Sequence, residues 1–137
     1  MLYDRDCGFC RWSLAKLLAW DRRRALRPVP IQSPEGDELL AGMAEDERLS
    51  SWHLAAAGEV RSAGAAFEPL LRRLPGGRPL SAIAARFPEG VDRAYRQVAG
   101  RRGLFGRLVT SGAKRRADRR IASRTSASAR PASPRSR

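Results

Sequence analysis

The stretch YDRDCGFCRW, residues 3–12, holds both cysteines of the 137-residue chain, Cys7 and Cys10. Together with three later leucines, they recur at the spacing that places side chains on one face of a helix. The members of this stripe are Cys7, Cys10, Leu14, Leu17 and Leu18. The spacing predicts a helix over residues 7–23 with both thiols in its first turn. Three arginines, residues 22–24, follow at its C-terminal end, where cations are favourable.

The number of candidate ligands limits what the two thiols can do. A structural zinc site needs four ligands, and the chain offers two cysteines and one histidine, His53. An iron–sulfur cluster within one chain fails on the same count. A zinc ion shared by the CxxC pairs of two chains stays open. A disulfide that spans two residues would barely constrain the unfolded chain. We therefore expect redox chemistry with no metal and no bound cofactor.

The position of the pair predicts different roles for the two cysteines. Cys7 lies at the start of the helix, where unpaired amides and the positive end of the dipole stabilise a thiolate. Arg5 and Arg11 add positive charge nearby. Cys10 lies one turn later on the apolar stripe, which would shield it. We predict that Cys7 attacks a substrate disulfide and that Cys10 resolves the mixed disulfide.

Asp4 has two interpretations that the sequence leaves open. Its carboxylate can act as a general base that accepts the proton of Cys10, or it can cap the helix. For Asp6 we expect the cap.

We expect His53 to be a half-buried residue of a hairpin rather than a catalytic partner of Cys7. We expect the three tryptophans to be packing residues, with one of them lining the groove beside the thiols: Trp12, Trp20 and Trp52.

The remaining elements are predicted from turn residues and apolar patterns. Residues 1–3 predict a short strand, either a stub or the end of a strand that begins upstream. Pro28 and Pro30 remove amide donors from one side of residues 26–32, which predicts an edge strand. Residues 51–62 predict a β-hairpin that turns near Gly58. The other segments are a short helix plus loop over 35–50 and helices over 63–74, 80–87 and 91–109.

This order of elements predicts an α/β fold. A strand, the CxxC helix and a parallel strand form a βαβ unit, and a hairpin plus helix complete a four-stranded mixed sheet with flanking helices. This is the thioredoxin-like plan, with extra C-terminal helices. We assign residues 1–112 to this domain. Residues 113–137 form a basic tail rich in Ser, Ala, Arg and Pro, which we predict to be partly helical at its start and disordered from about Ala122.

The net charge of +13 is concentrated in that tail. Residues 114–137 hold nine of the 27 basic residues and one of the 14 acidic residues. Basic runs give sequence-independent attraction, so the tail is either a weak contact for polyanions or a solvated end.

The chain has no apolar run long enough for a transmembrane helix and no secretory signal at its first residues. We therefore expect a cytoplasmic protein.

Several segments together resemble the DCC family of thiol-disulfide oxidoreductases. They are YDRDCGFCRWSLAKLL, LRPVPIQSP, SWHL, VRSAGAAFEPLLRRLPG and AYRQVAGRRGLFGRL, which span about residues 2–110. The family signature, Asp-x-x-Cys-x-x-Cys, matches Asp4, Cys7 and Cys10. The resemblance implies a thioredoxin-like fold and protein-disulfide reductase activity. Arg5 replaces a glycine that is usual in the family, which predicts backbone strain if the position needs a positive φ.

Two functional hypotheses follow. The first is a thiol-disulfide oxidoreductase that uses Cys7 and Cys10 on a protein or small-molecule disulfide and takes its electrons from a cellular dithiol. The second is a binding module with an inert CxxC, whose basic helices and tail bind nucleic acid or an acidic partner.

Overall fold

The computed structural model describes residues 1–128, without the side chains of residues 127 and 128. The elements in this part of the chain are β1 (Leu2–Tyr3), α1 (Gly8–Trp20), β2 (Val29–Pro30), α2 (Pro34–Leu39), α3 (Glu45–Ser50), β3 (His53–Ala56), β4 (Glu59–Ser62), a 3-10 turn (Ala63–Ala66), α4 (Phe67–Arg73), α5 (Arg78–Arg86), α6 (Pro88–Gly100), α7 (Arg102–Leu108) and α8 (Ser111–Ser128). None of these helices is both long and apolar enough to cross a membrane.

The four strands form one mixed sheet in the order β2-β1-β3-β4. β1 and β2 are parallel, while β1 with β3 and β3 with β4 are antiparallel. The β1-α1-β2 unit followed by the β3-β4 hairpin is the arrangement that the order of predicted elements indicated. The thioredoxin-like α/β fold is therefore confirmed, with additional helices after the hairpin.

β2 is the edge strand that its prolines predicted, but it spans Val29–Pro30 rather than residues 26–32. The amides of Val29 and Ile31 donate to the carbonyls of Met1 and Tyr3, each at 2.9 Å. Alternate residues of a strand direct their amides to opposite sides, so Pro28 and Pro30 occupy the side that has no neighbouring strand. The missing donors therefore cost no ladder hydrogen bond.

The side chains of β1 alternate between the two faces of the sheet, so the core is divided between those faces. Leu2 is fully buried on one face in the cluster under α2. Tyr3 is buried on the other face, against α1, α4 and α8. The members of this second cluster are Tyr3, Leu14, Leu18, Leu26, Leu54, Ala66, Leu70, Leu74 and Ile121. Because α1 rests on this face, its first turn lies just beyond the end of β1.

Helix α1 ends earlier than the sequence predicted. It stops at Trp20, and Asp21 follows with its backbone amide bonded to the Leu17 carbonyl at 2.8 Å. The Asp21 carboxylate accepts the amides of Ala25 and Leu26 at 3.0 and 2.8 Å. These bonds turn the chain toward β2, so the three arginines at residues 22–24 lie outside the helix. The predicted helix over residues 7–23 is therefore too long at both ends.

The hairpin is confirmed, whereas two predicted segments divide into shorter helices. His53 pairs with Ser62 and Ala56 with Glu59, and Ala57 and Gly58 form the turn with positive φ. Residues 35–50 contain both α2 and α3 rather than one helix and a loop. The predicted helix over residues 91–109 breaks at Arg101, because glycines on both sides weaken the helix there.

Helix α8 corrects the prediction for the tail. It continues to Ser128, so disorder from about Ala122 is wrong for residues 122–128. The rest of that predicted stretch lies outside the described residues. Ala117 and Ile121 are buried, and α8 packs along α1. Packing against a preformed helix stabilises a segment whose composition alone favours disorder.

Candidate redox site

Cys7 is the N-cap residue of α1. Its Sγ accepts a hydrogen bond from the Cys10 amide at 3.2 Å. Cys7 and Cys10 are joined by a disulfide, and their Cα atoms are 5.2 Å apart. In the reduced form, the same amide and the N-terminal end of the helix dipole would favour a thiolate at Cys7.

The two cysteines differ in surroundings rather than in burial. Both are half-buried, so the predicted contrast between an exposed Cys7 and a shielded Cys10 does not appear as a difference in exposure. Cys7 caps the helix, whereas Cys10 lines a neighbouring cavity. A group bound in that cavity would contact Cys10 beside the disulfide.

The cavity has a volume of about 400 Å³ and an almost entirely apolar wall. Seven aromatic residues contribute to that wall: Tyr3, Phe9, Trp12, Trp20, Trp52, Phe67 and Tyr95. All three tryptophans line it, where the sequence predicted one. This volume and this lining are typical of sites that bind an apolar group.

Ring contacts hold the cavity wall in place. Phe9, between the two cysteines, stacks on Phe105 of α7 with ring centroids 5.4 Å apart. Trp52 meets Phe67 edge to face at 5.3 Å. Helix α7 therefore docks on α1, and its Leu104 and Leu108 remain exposed. The first turn of α1 therefore packs against α7, a contact that the sequence did not predict.

Asp4 is held by hydrogen bonds away from the helix end. Its Oδ1 accepts the Asp6 amide at 2.9 Å and Nε2 of Gln32 at 2.6 Å. Since Cys7 is the N-cap, the cap interpretations of Asp4 and Asp6 are wrong. Within residues 1–128, Oδ2 of Asp4 accepts no hydrogen bond. Asp4 also lines the cavity beside Cys10.

Gln32 is a site residue that the sequence analysis missed. Asp4 follows β1 and Gln32 follows β2, so the two lie at the carboxyl ends of neighbouring parallel strands. Functional groups collect at this edge in open α/β sheets. The order of the predicted strands was therefore the signal that could have identified Gln32.

The positive charge near the cysteines differs from the prediction. Arg11 pairs with Asp118 of α8 at 3.3 Å, and Arg5 is exposed. Arg5 does not have a positive φ, so the predicted strain at this position is wrong. The cation over the first turn is Lys114 of α8. A β-carbon built on Gly8 would lie 3.2 Å from its Cε and 3.6 Å from its Nζ.

Lys114 was missed because its residue range was assigned to the tail. Three apolar residues spaced by four, at positions 113, 117 and 121, were the available signal for a packed helix. Ala117 and Ile121 of this stripe are buried. A helix interpretation of this stripe would have placed Lys114 next to a buried face.

His53 is a structural residue of the hairpin. It is fully buried, with Nδ1 2.7 Å from Ser62 Oγ and Nε2 2.9 Å from the Arg48 carbonyl. A carbonyl only accepts, so Nε2 carries the proton and Nδ1 accepts from Ser62. Burial lowers the pKa of His53. Both ring nitrogens are therefore occupied, and the residue is more deeply buried than predicted.

No group of three or more His, Cys, Asp or Glu side chains suited to a metal ion occurs within residues 1–128. The fold is a thioredoxin-like α/β arrangement, with the Cys7–Cys10 pair at the start of its first helix. A family model described as DCC1-like thiol-disulfide oxidoreductase matches residues 1–108. The chain therefore belongs to this family, which confirms the resemblance. Comparisons with curated proteins and with solved structures found no match.

Proposed function

We propose that the protein is a protein-disulfide reductase that works by exchange between a dithiol, Cys7 and Cys10, and a substrate disulfide. The main support is the position of Cys7 as the N-cap of α1, with the Cys10 amide directed at its sulfur. A helix N-terminus stabilises the anion that attacks a disulfide. Membership of a thiol-disulfide oxidoreductase family supports the same class of reaction.

The exchange proceeds in two displacements. The Cys7 thiolate attacks a substrate disulfide R–S–S–R′, which forms Cys7–S–S–R and releases R′–S⁻. R′–S⁻ takes a proton from water. Cys10 then loses its proton, and its sulfur attacks Cys7 Sγ and releases R–S⁻. Two electrons pass to the substrate, and the cysteines end as a disulfide.

Asp4 is the proposed acceptor of the Cys10 proton. It lines the same cavity as Cys10, and Gln32 and the Asp6 amide hold one of its oxygens. The second oxygen is open to a proton or to a bridging water. Proton transfer by a positioned carboxylate is a common form of general base catalysis.

The cavity is the proposed contact for the substrate. Its aromatic wall would take an apolar group next to the substrate disulfide, whether on a protein or on a small molecule. Val98 lies at its edge and is 41% exposed, while Val60 on β4 is 36% exposed and does not line it. We expect Val98→Asp to raise KM for an apolar disulfide about fivefold with kcat retained, and Val60→Asp to leave KM unchanged. Equal KM values for both variants would argue against this contact.

A cellular dithiol is the proposed source of electrons. It would reduce the Cys7–Cys10 disulfide by the reverse sequence of displacements and leave as a disulfide itself. Dithiol systems of this kind maintain reduced thiols in the cytoplasm. We therefore propose the cytoplasm as the compartment in which the protein acts.

The test is reduction of a single-disulfide model protein, driven by a dithiol. Cys7→Ser is expected to remove turnover completely. In a separate incubation without dithiol, reduced Cys10→Ser is expected to form a covalent adduct with the substrate that accumulates, because the second displacement is lost. Mass measurement identifies the adduct, and added dithiol releases it. Absence of turnover in the wild type and of adduct in Cys10→Ser would support the inert-CxxC alternative.

Polyanion binding by α8 is a second proposal. Its support is a set of exposed arginines on this helix: Arg115, Arg116, Arg119 and Arg120. Contacts of this kind weaken steeply as salt rises. We expect the affinity for a short DNA duplex to fall as the salt concentration rises. We also expect it to be lower when these four residues are replaced with glutamine. Binding that is insensitive to both changes would contradict it.

A further inference from the structure

We infer that Lys114, on helix α8 beyond the residues that the family model matches, belongs to the redox site and stabilises the Cys7 thiolate. The inference rests on the proposed dithiol exchange and adds a residue that tunes it. Lys114 would act through its charge on Cys7 rather than by touching the substrate, so it is a positioning residue.

The Lys114 side chain lies beside the residue that follows Cys7. A β-carbon on Gly8 would lie 3.6 Å from Nζ of Lys114, and Gly8 directly follows Cys7. The side chain of Lys114 is half-buried over the first turn of α1. Partial removal from water strengthens the interaction of its charge with a neighbouring anion. Glycine leaves this space open, since any larger residue at position 8 would press on the lysine chain.

The positive charge of Lys114 lies where the dipole of α1 opposes it. The N-terminal end of a helix carries a partial positive charge and disfavours a cation. Lys114 forms no ion pair within residues 1–128. Asp118, one turn later on α8, pairs with Arg11 instead. A cation held in this place becomes more favourable when an anion forms beside it. Asp4 and Asp6 precede Cys7 in the same loop, and the Cys7 sulfur is the group whose charge changes with the redox state.

Packing of α8 along α1 holds Lys114 at a fixed position beside that helix. At the other end of the contact, Arg124 donates to Oδ2 of Asp21 at 2.9 Å and to the Leu18 carbonyl at 2.9 Å. Ala117 and Ile121 are buried between these two ends. The two helices therefore run parallel, with Lys114 at the first turn of α1 and Arg124 at its last.

Lys114 should affect both the reactivity and the redox equilibrium of the site. Its attraction favours the thiolate over the neutral thiol, which increases the attacking species near neutral pH. It also favours the reduced form over the uncharged disulfide. A stabilised reduced form makes a dithiol pair a stronger oxidant. Loss of Lys114 should therefore make Cys7 less reactive and the pair more reducing.

The experiment measures the alkylation rate of Cys7 against pH in the full chain carrying Cys10→Ser. We expect Lys114→Gln to move the titration midpoint of Cys7 upward by about half a unit or more. Lys114→Arg keeps the charge and should stay close to the parent protein. Arg115→Gln removes the same charge from an exposed neighbour on α8 and should leave the midpoint unchanged.

A second readout is the equilibrium with glutathione, measured in the protein with both cysteines. Lys114→Gln should shift it toward the protein disulfide by about threefold, which corresponds to about 14 mV for this two-electron couple. Circular dichroism checks that the variant folds. The inference is overturned if Lys114→Gln and Arg115→Gln have the same midpoint and the same equilibrium. A protein without turnover in which Lys114→Gln still moves the midpoint would overturn the proposed function and support the role of Lys114.

Discussion

The two ends of α1 each meet a cation from α8, but in opposite circumstances. At the C-terminal end, Arg124 binds Asp21, whose side chain is fully buried. At the N-terminal end, Lys114 lies over Gly8 without a carboxylate partner in the described part of the chain. The helix dipole favours a cation at the first of these ends and opposes one at the second.

This difference separates stability from chemistry along a single helix pair. At the Arg124 end, both carboxylate oxygens of Asp21 have hydrogen-bond partners, because they also accept the amides of Ala25 and Leu26. The Lys114 end has the two sulfurs and a cation that forms no ion pair within residues 1–128. Sites that hold unfavourable local arrangements are often functional, and the rest of the fold stabilises them.

Removal of the cation at the Arg124 end should have the largest effect on stability. Arg124→Met leaves the Asp21 carboxylate buried without its ion pair. The free energy of unfolding should fall by about 3 kcal/mol, as when one partner of a buried pair is deleted. Urea unfolding measured by circular dichroism gives this quantity.

The control for this variant is Arg119→Met, which changes an exposed arginine on the same helix. It should alter the free energy of unfolding by less than about 0.5 kcal/mol. The double variant Asp21→Asn with Arg124→Met should recover part of the loss, because no buried charge then lacks a partner. Equal losses for Arg124→Met and Arg119→Met would show that the Asp21 pair is not what holds α8 on α1.

The comparison also shows which features the sequence could predict. The CxxC helix, the edge strand and the hairpin follow from local signals: a helical stripe, two prolines on one side, and a turn at Gly58. These signals act within a few residues and survive tertiary context. The sheet order then follows from the short connections of a βαβ unit and a hairpin.

The features that were missed depend on contacts between distant parts of the chain. Lys114 reaches Gly8 only because α8 returns along α1. The apolar residues at positions 113, 117 and 121 indicate a packed helix, but they do not show which element it packs against. Cys7 rather than Asp6 caps α1, because the loop holds the Asp4 carboxylate against the Asp6 amide and Gln32. A sequence shows which groups can form such bonds, but the tertiary fold decides which of them do.

His53 is another buried polar residue, and its protonation should have a smaller effect on stability than the loss of Arg124. Burial lowers its pKa below the ordinary value of 6.5, so the unfolded state takes up more protons as the pH falls. The stability that its neutral form provides is complete above about pH 6.5 and decreases below it. The free energy of unfolding should therefore decrease between about pH 7.5 and about pH 5.5.

The control is His53→Gln, which keeps a hydrogen-bonding side chain but does not titrate in this range. It should be less stable throughout and show a flatter dependence on pH, while the carboxylates contribute equally to both proteins. The same slope in both proteins would mean that His53 does not behave as a satisfied, neutral buried group. Chemical denaturation at each pH supplies the two curves.

The smallest expected effect concerns the stability of the Lys114 end, and its sign depends on the redox state. In the disulfide form no thiolate is present, so the cation opposes the helix dipole and Lys114→Gln should raise the free energy of unfolding by about 0.3 kcal/mol. In the reduced form, above the titration midpoint of Cys7, the same change removes a favourable contact with the thiolate. The stabilisation should then disappear or reverse.

Urea unfolding of both proteins with and without dithiol measures the difference, and Arg115→Gln should show no such dependence on redox state. An equal effect of Lys114→Gln in both states would mean that the charge of Lys114 does not sense the sulfur of Cys7, and the contrast between the two ends of α1 would then be one of packing alone.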